Sequence, residues 1–175
     1  MEYKPRRKLT REFKLKAVRH AALSEKPKAQ LARELGVRVG QLRTWGRLEE
    51  ALAAVEQTLT LKPPAGHTDW LFLCRCRASL GLGRYDDAIA ACEKSTSSGD
   101  SWPGSLSPHI FLVAAYALRG NDDRAHAEKT KLLTQRPGFS IAGFKAARIS
   151  NVPAYMQQIE AHLYAGLRKA GIAEE

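Results

Sequence analysis

Apolar side chains near the start of the chain recur every three or four residues, which is the spacing of one face of a helix. Phe13, Ala17 and Val18 follow this spacing after Thr10, whose hydroxyl can cap a helix that begins at the next residue. Pro27 interrupts the pattern, and a helix can restart directly after a proline. The pattern therefore predicts two successive helices before residue 36.

A glycine corner and a third helix come next. The second helix has an apolar face made of Leu31, Ala32 and Leu35. Gly36 supplies the left-handed residue that a tight turn needs. Leu42 and Trp45 then have the spacing of an inward face. The order of helix, helix, glycine turn and helix is the helix-turn-helix layout.

The rest of the chain is self-similar with a period of 37 residues. The recurring landmarks are Gly46, Gly83 and Gly120, then Ala51, Ala88 and Ala125, and finally Pro63, Asp100 and Pro137. Each glycine is expected to form a turn that opens a helix, and acidic residues follow it where the positive end of the helix dipole lies. The first unit is incomplete, because the third front helix occupies the place of its first helix.

A last helix is predicted near the C-terminus, starting around Asn151 and Pro153. Its apolar stripe consists of Met156, Ile159, Leu163 and Leu167. Such a helix could cap a short array of repeats.

The expected fold is thus all-α, with a helix-turn-helix head followed by a short α-solenoid and a C-terminal capping helix. The predicted parts are a head at 1–45 and a repeat region at 46–175, the latter with units at 46–65 (partial), 69–100 and 106–137 and a final helix at 151–170.

Charge is concentrated at the front of the chain. The formal net charge is +10, and residues 1–50 hold 14 Lys/Arg against 6 Asp/Glu, a net of +8, which leaves +2 for the rest. A basic head on a nearly neutral body suggests that the head meets a polyanion, although a solvated basic tail would also explain it.

The front segment resembles the small DNA-binding subunit of bacterial insertion-sequence transposases, over residues 5–45. The stretches that carry the resemblance are Arg7 to Lys14, Ala17 to Arg19, Leu31 to Val37, and Leu42 with Trp45. The family usually has a serine-rich stretch after the turn valine, where this chain has Arg38, Val39 and Gly40. The loss of the serine cap is expected to cost about 1 kcal/mol.

This resemblance implies binding of double-stranded DNA through the major groove. Gln41, Arg43 and Thr44 would face outward and read bases, since Leu42 and Trp45 face inward. The expected phosphate contacts are Lys4, Arg6, Arg7, Lys8, Lys14, Arg33 and Arg38.

The rear segment resembles the tetratricopeptide repeat, a helix pair with a turn glycine, a small alanine and a terminal proline. Residues 46–175 also resemble the C-terminal part of bacterial class III adenylate/guanylate cyclases that carry such repeats. The resemblance implies a protein or peptide partner in a groove lined by the first helix of each unit. Arg75 and Arg77 are the candidates for that groove, although an array this short could be a scaffold alone.

No catalytic, metal or cofactor motif is recognised, and neither a small-molecule substrate nor a membrane is expected as a partner. Cys74, Cys76 and Cys92 are expected to be free thiols, with Cys76 and Cys92 at core positions. No signal peptide or membrane-spanning run is evident, so a cytoplasmic location is expected.

Three hypotheses follow. The first is a non-enzymatic DNA-binding head fused to a protein-binding array. The second is a repeat interaction protein whose head has no role. The third is a chimeric reading frame left by an insertion element inside a repeat-protein gene, suggested by the abrupt switch at Trp45 and Gly46.

Overall fold

The computed structural model describes residues 10–24, 26–63, 65–96, 107–147 and 153–175. Every regular element in those ranges is helical, which confirms the expected all-α class. In chain order they are α1 (Arg11–Leu23), α2 (Lys28–Glu34), α3 (Val39–Thr60), α4 (Ala65–Leu82), α5 (Tyr85–Ser95), α6 (Pro108–Arg119), α7 (Asp122–Gln135), α8 (Ile141–Ala146), α9 (Pro153–Gln158) and α10 (Ala165–Lys169). A π-helical segment, Ile159–Tyr164, joins α9 to α10, and residues 153–169 are called the C-terminal helix below.

The helix starts in the head follow local signals. The Thr10 hydroxyl accepts a hydrogen bond from the backbone amide of Phe13 at 3.2 Å and caps α1. The second helix begins at Lys28, directly after Pro27. Gly36 has a φ of 65°, so the predicted left-handed corner between α2 and α3 is confirmed.

The longest helix, α3, runs for 22 residues and passes through Gly46 without a break. The prediction of a glycine turn at this position is therefore wrong. Leu42, Trp45, Leu52 and Val55 are buried along one side of α3. Burying each such side chain contributes about 1.5–3 kcal/mol, which together outweighs the ~1 kcal/mol that a glycine costs inside a helix.

The rear contains two helix pairs, α4 with α5 and α6 with α7, which share one turn geometry. Gly83 and Gly120 have φ values of 76° and 86°. The amide of each glycine donates to the carbonyl three residues earlier, at 2.9 and 3.2 Å respectively. The following amide donates to the carbonyl five residues earlier, at 2.9 and 3.0 Å. These are the two hydrogen bonds of the Schellman helix ending, repeated 37 residues apart.

The repeated alanines also differ between the two rear helix pairs and the first unit. Ala88 and Ala125 are buried, at 0% and 2% exposure, in their helix pairs. Ala51 faces solvent. The first unit has no helix pair of its own, because α3 extends back across Gly46 to Val39.

The described residues form two apolar cores, and α4 contributes side chains to both. The rear core is formed by α4 to α8 and the C-terminal helix. The front core contains residues of α1, α2 and α3, together with Ala78 and Leu82 from α4. Side chains of α4, which follows the head in the chain, therefore complete the front core.

The C-terminal helix lies directly on α6. A Cβ atom added at Gly166 would lie 2.6 Å from the carbonyl oxygen of Ala114. Glycine is required there because the two helix backbones come into contact.

Candidate nucleic-acid interface

The start of α3 is held at the glycine corner by backbone and side-chain hydrogen bonds. The Gly36 amide donates to the carbonyl of Arg33 at 3.1 Å, and the next amide donates to the carbonyl of Ala32 at 2.9 Å. The backbone amide of Arg38 then donates to Oε1 of Gln41 at 3.1 Å. The Gln41 amide thus stabilises the first turn of α3.

The inner face of α3 is fixed by burial. Leu42 and Trp45 are exposed by only 2% and 1%, as the spacing predicted. With the Gln158 amide oriented so that both of its groups are paired, Trp45 Nε1 donates to Gln158 Oε1 at 3.1 Å, and Gln158 Nε2 donates to the Gly81 carbonyl at 3.1 Å. Gln158 thereby links Trp45 of α3 to the C-terminal helix and to α4 through hydrogen bonds.

The outer face of the corner carries exposed guanidinium groups. Arg33 ends the exposed side of α2, Arg38 precedes α3, and Arg43 lies in the second turn of α3. Arg47, which sequence reasoning missed, is also exposed and lies one turn beyond Arg43. Among the described residues, none of these four groups has a carboxylate oxygen within 4.0 Å. Groups arranged in this way can contact phosphate oxygens or base edges.

Two of the expected base-reading residues do not face outward. Thr44 is only 6% exposed, and its hydroxyl donates to the Gly40 carbonyl at 2.9 Å, so the prediction that it faces outward is wrong. Gln41 is half-buried, and its side-chain oxygen is engaged with the backbone of Arg38. Both residues lie on the flank of α3 that turns toward the core, whereas Arg43 lies on the opposite side.

Lys14 is also placed differently from the prediction of a phosphate contact. It is 8% exposed, and its Nζ donates to the Leu82 carbonyl at 3.2 Å. The same atom lies 3.5 Å from His162 Nε2 and 5.8 Å from the centroid of the Trp45 ring. Burial lowers the pKa of Lys14. Its ammonium group therefore joins the head to α4 and the C-terminal helix instead of facing solvent.

His162 completes this buried polar junction. Its Nδ1 lies 3.0 Å from the Tyr85 hydroxyl. Burial, followed by the charge of Lys14, lowers the pKa of His162 to about 4. The imidazole is consequently neutral at pH 7, which suits a site beside a buried ammonium group.

The remaining basic residues named from the sequence, Lys4, Arg6, Arg7 and Lys8, lie outside the described residues.

The two arginines that were predicted to line a peptide groove, Arg75 and Arg77, contact other helices of this chain. A guanidinium nitrogen of Arg77 donates to the Tyr155 hydroxyl of the C-terminal helix at 3.4 Å, and its guanidinium carbon lies 5.7 Å from the centroid of the Phe111 ring. Arg75 lies 3.5 Å from a carboxylate oxygen of Glu56 on α3. The two arginines thus contact different helices of this chain and do not line one open groove.

The cysteines correct another expectation. Cys76 and Cys92 form a disulfide that links α4 to α5, so they are not free thiols. Both are fully buried, as expected for core positions, and Cys74 is free and half-buried. Within the described ranges, no three His, Cys, Asp or Glu side chains lie close enough to hold a metal ion together. No helix in those ranges is long and apolar enough to cross a bilayer.

Comparison with known proteins confirms the front resemblance. Residues 3–63 match a helix-turn-helix family model described as Transposase. The match includes α1, α2 and all of α3, and so continues past the predicted head boundary at residue 45. Such a domain is a DNA-binding domain and is not catalytic by itself. No curated protein and no solved structure matches the chain.

Proposed function

We propose that this chain binds double-stranded DNA, with α3 as the recognition helix. The single observation that carries the proposal is the transposase helix-turn-helix match over residues 3–63. Its geometric support is an α3 whose inner face is anchored by Leu42 and Trp45 while its outer face carries an exposed Arg43. A helix held in this way can enter the major groove as a rigid unit.

The roles divide between affinity and sequence preference. Arg43 is the base-reading residue, because a guanidinium fork can pair with O6 and N7 of guanine. Arg33 and Arg38 flank the corner and contact phosphates, together with Lys4, Arg6, Arg7 and Lys8 of the N-terminal arm. Phosphate contacts raise affinity for every duplex alike.

A salt titration of duplex binding tests this proposal. Six phosphate contacts would give a slope of about −5 when the logarithm of the binding constant is plotted against that of the salt concentration. Replacing both Arg33 and Arg38 with alanine should make that slope less steep, by about 2. The control is the single replacement Arg124→Ala, which removes an exposed charge from α7 and should leave the slope unchanged. Undetectable binding at low salt would eliminate the function.

We further infer that the rear is a non-enzymatic, tetratricopeptide-type scaffold that supports the head. The repeated turns at Gly83 and Gly120 favour this architecture. Because the C-terminal helix covers α4 and α6, scaffolding is favoured over peptide capture.

Hydrogen exchange on the full chain distinguishes these two roles of the rear. If the rear is a scaffold, the amides of residues 153–169 should be protected as strongly as those of α6. Rapid exchange confined to residues 153–169 would instead favour a groove that opens to a partner.

A further inference from the structure

We propose that Arg47 is a second base-reading residue, and that Arg43 and Arg47 together select two guanines about two base pairs apart. This inference rests on the proposed DNA-binding function and adds to it the sequence class that the head prefers. A helix that ended at Gly46 would leave Arg47 outside the recognition helix, whereas the structure places both arginines on one continuous helix.

The directions of the two side chains are set by their neighbours. Thr44 and Trp45 lie between them in sequence and are buried, which turns both arginines to the outer side of α3. Residues four apart on a helix project from the same face, displaced by about 6 Å along its axis. Arg43 and Arg47 therefore project from the same face of one continuous helix.

Arg43 and Arg47 are both exposed, and a Cβ atom added at Gly46, which lies between them in sequence, would meet no atom within 4 Å. Beyond Arg47, the exposed Glu50 places a negative charge on the same side, which disfavours close approach of phosphates there. The duplex-facing surface therefore extends to Arg47 and ends before Glu50.

The spacing of the two arginines fits the spacing of base pairs in DNA. Successive base pairs are about 3.4 Å apart, so an offset of about 6 Å along a helix in the groove corresponds to about two base pairs. Guanine offers two acceptors, O6 and N7, that match the two donors of a guanidinium fork. Each such pair should contribute roughly 5- to 150-fold discrimination against another base.

The experiment begins with selection of short duplexes from a randomised library by the full-length protein. The wild type should select two guanines separated by one base pair. Each guanine of the selected duplex is then replaced in turn by 7-deazaguanine, which removes N7 and leaves the phosphates unchanged. Either replacement should weaken binding by roughly 5-fold or more.

Three variants separate base reading from charge. Arg47→Lys keeps the positive charge but replaces the planar fork with one ammonium group, which can still donate to O6 and N7, so it should weaken the preference for one guanine and still bind duplexes in general. Arg47→Ala should lose the same preference and also bind all duplexes more weakly. Arg124→Ala, an exposed charge loss on α7, should match the wild type in both respects.

The outcomes distinguish a failure of this inference from a failure of the proposed DNA-binding function. If the wild type binds with a steep salt dependence but Arg47→Ala keeps both guanine preferences, Arg47 is not a base reader and only this inference fails. A loss for Arg47→Ala that is equal on every duplex, with Arg47→Lys indistinguishable from the wild type, would show a phosphate contact and would likewise overturn it. If no duplex is bound at low salt, the proposed function itself fails. Thermal unfolding of all three variants checks that each remains folded.

Discussion

Replacing Gly46 with alanine distinguishes a continuous α3 from a turn at the head–rear junction. The structure places Gly46 inside α3 with helical backbone, and a Cβ atom there would meet nothing within 4 Å. Alanine should therefore stabilise the chain, because it restricts the unfolded backbone and favours helix. The expected gain in the free energy of unfolding is about 0.5–1 kcal/mol.

Gly120 provides a matched control at the same landmark of the repeat. A Cβ atom at Gly120 would also meet nothing within 4 Å, but its φ is 86°. Alanine there enters the left-handed region, at a cost of about 1–2 kcal/mol. The two substitutions add the same methyl group in open space, so opposite signs report only the difference in backbone conformation.

Thermal and urea unfolding of both variants measures these signs. For a chain of this size, 1 kcal/mol corresponds to a shift in Tm of about 2–4 °C. Gly46→Ala should unfold above the wild type and Gly120→Ala below it. A Gly46→Ala variant that is destabilised as strongly as Gly120→Ala would refute the continuous helix and restore the glycine turn that the sequence suggested.

Further predictions concern stability and redox state. The pKa of His162 is lowered to about 4 in the folded chain from 6.5, so the unfolded state binds the proton first and stability should fall as the pH drops from about 6.5 to 4, by up to about 3 kcal/mol. Urea titrations should show this loss in the wild type and a smaller one in His162→Gln, and equal losses would contradict the buried junction. A thiol titration in denaturant should find only Cys74 reactive, since Cys76 and Cys92 are bonded, whereas three reactive thiols would disprove the disulfide. Gly166→Ala should lower the free energy of unfolding by roughly 1–3 kcal/mol, because its methyl group would lie 2.6 Å from an α6 carbonyl; an unchanged urea midpoint would contradict that close packing.

The parts of the fold that were predictable are those with local causes. The Thr10 cap, the corner at Gly36 and the inward pair Leu42 and Trp45 each depend on residues within about one helical turn. The front resemblance was predictable for the same reason, since its pattern lies within one stretch of sequence.

The errors arise where distant packing overrides a local signal. A glycine favours a turn by only about 1 kcal/mol, and at Gly46 the buried stripe of α3 provides more than that. The local sequence predicts an exposed Lys14, because the Leu82 carbonyl that accepts its hydrogen bond lies 68 residues away in the chain. Nothing near Gln158 in the sequence indicates its role, since its hydrogen-bond donor, Trp45, lies far away in the head.

The candidate interface was predictable only in outline. The outward direction of Arg43 followed from helical periodicity, but Thr44 lies at the edge of the buried face, where periodicity alone decides poorly. A turn at Gly46, which the sequence predicts, would leave Arg47 outside the third helix. Once the helix is continuous, the spacing of four residues from Arg43 places it on the same face.

Chemical-shift mapping of the backbone amides with a short duplex at low salt most directly tests the claim that α3 is the DNA-binding element. If α3 is that element, the largest shifts should fall between Arg33 and Arg47, α6 and α7 should be hardly affected, and the shifts should vanish as salt is raised. Shifts centred on α6 and α7, or none at all at low salt, would contradict it.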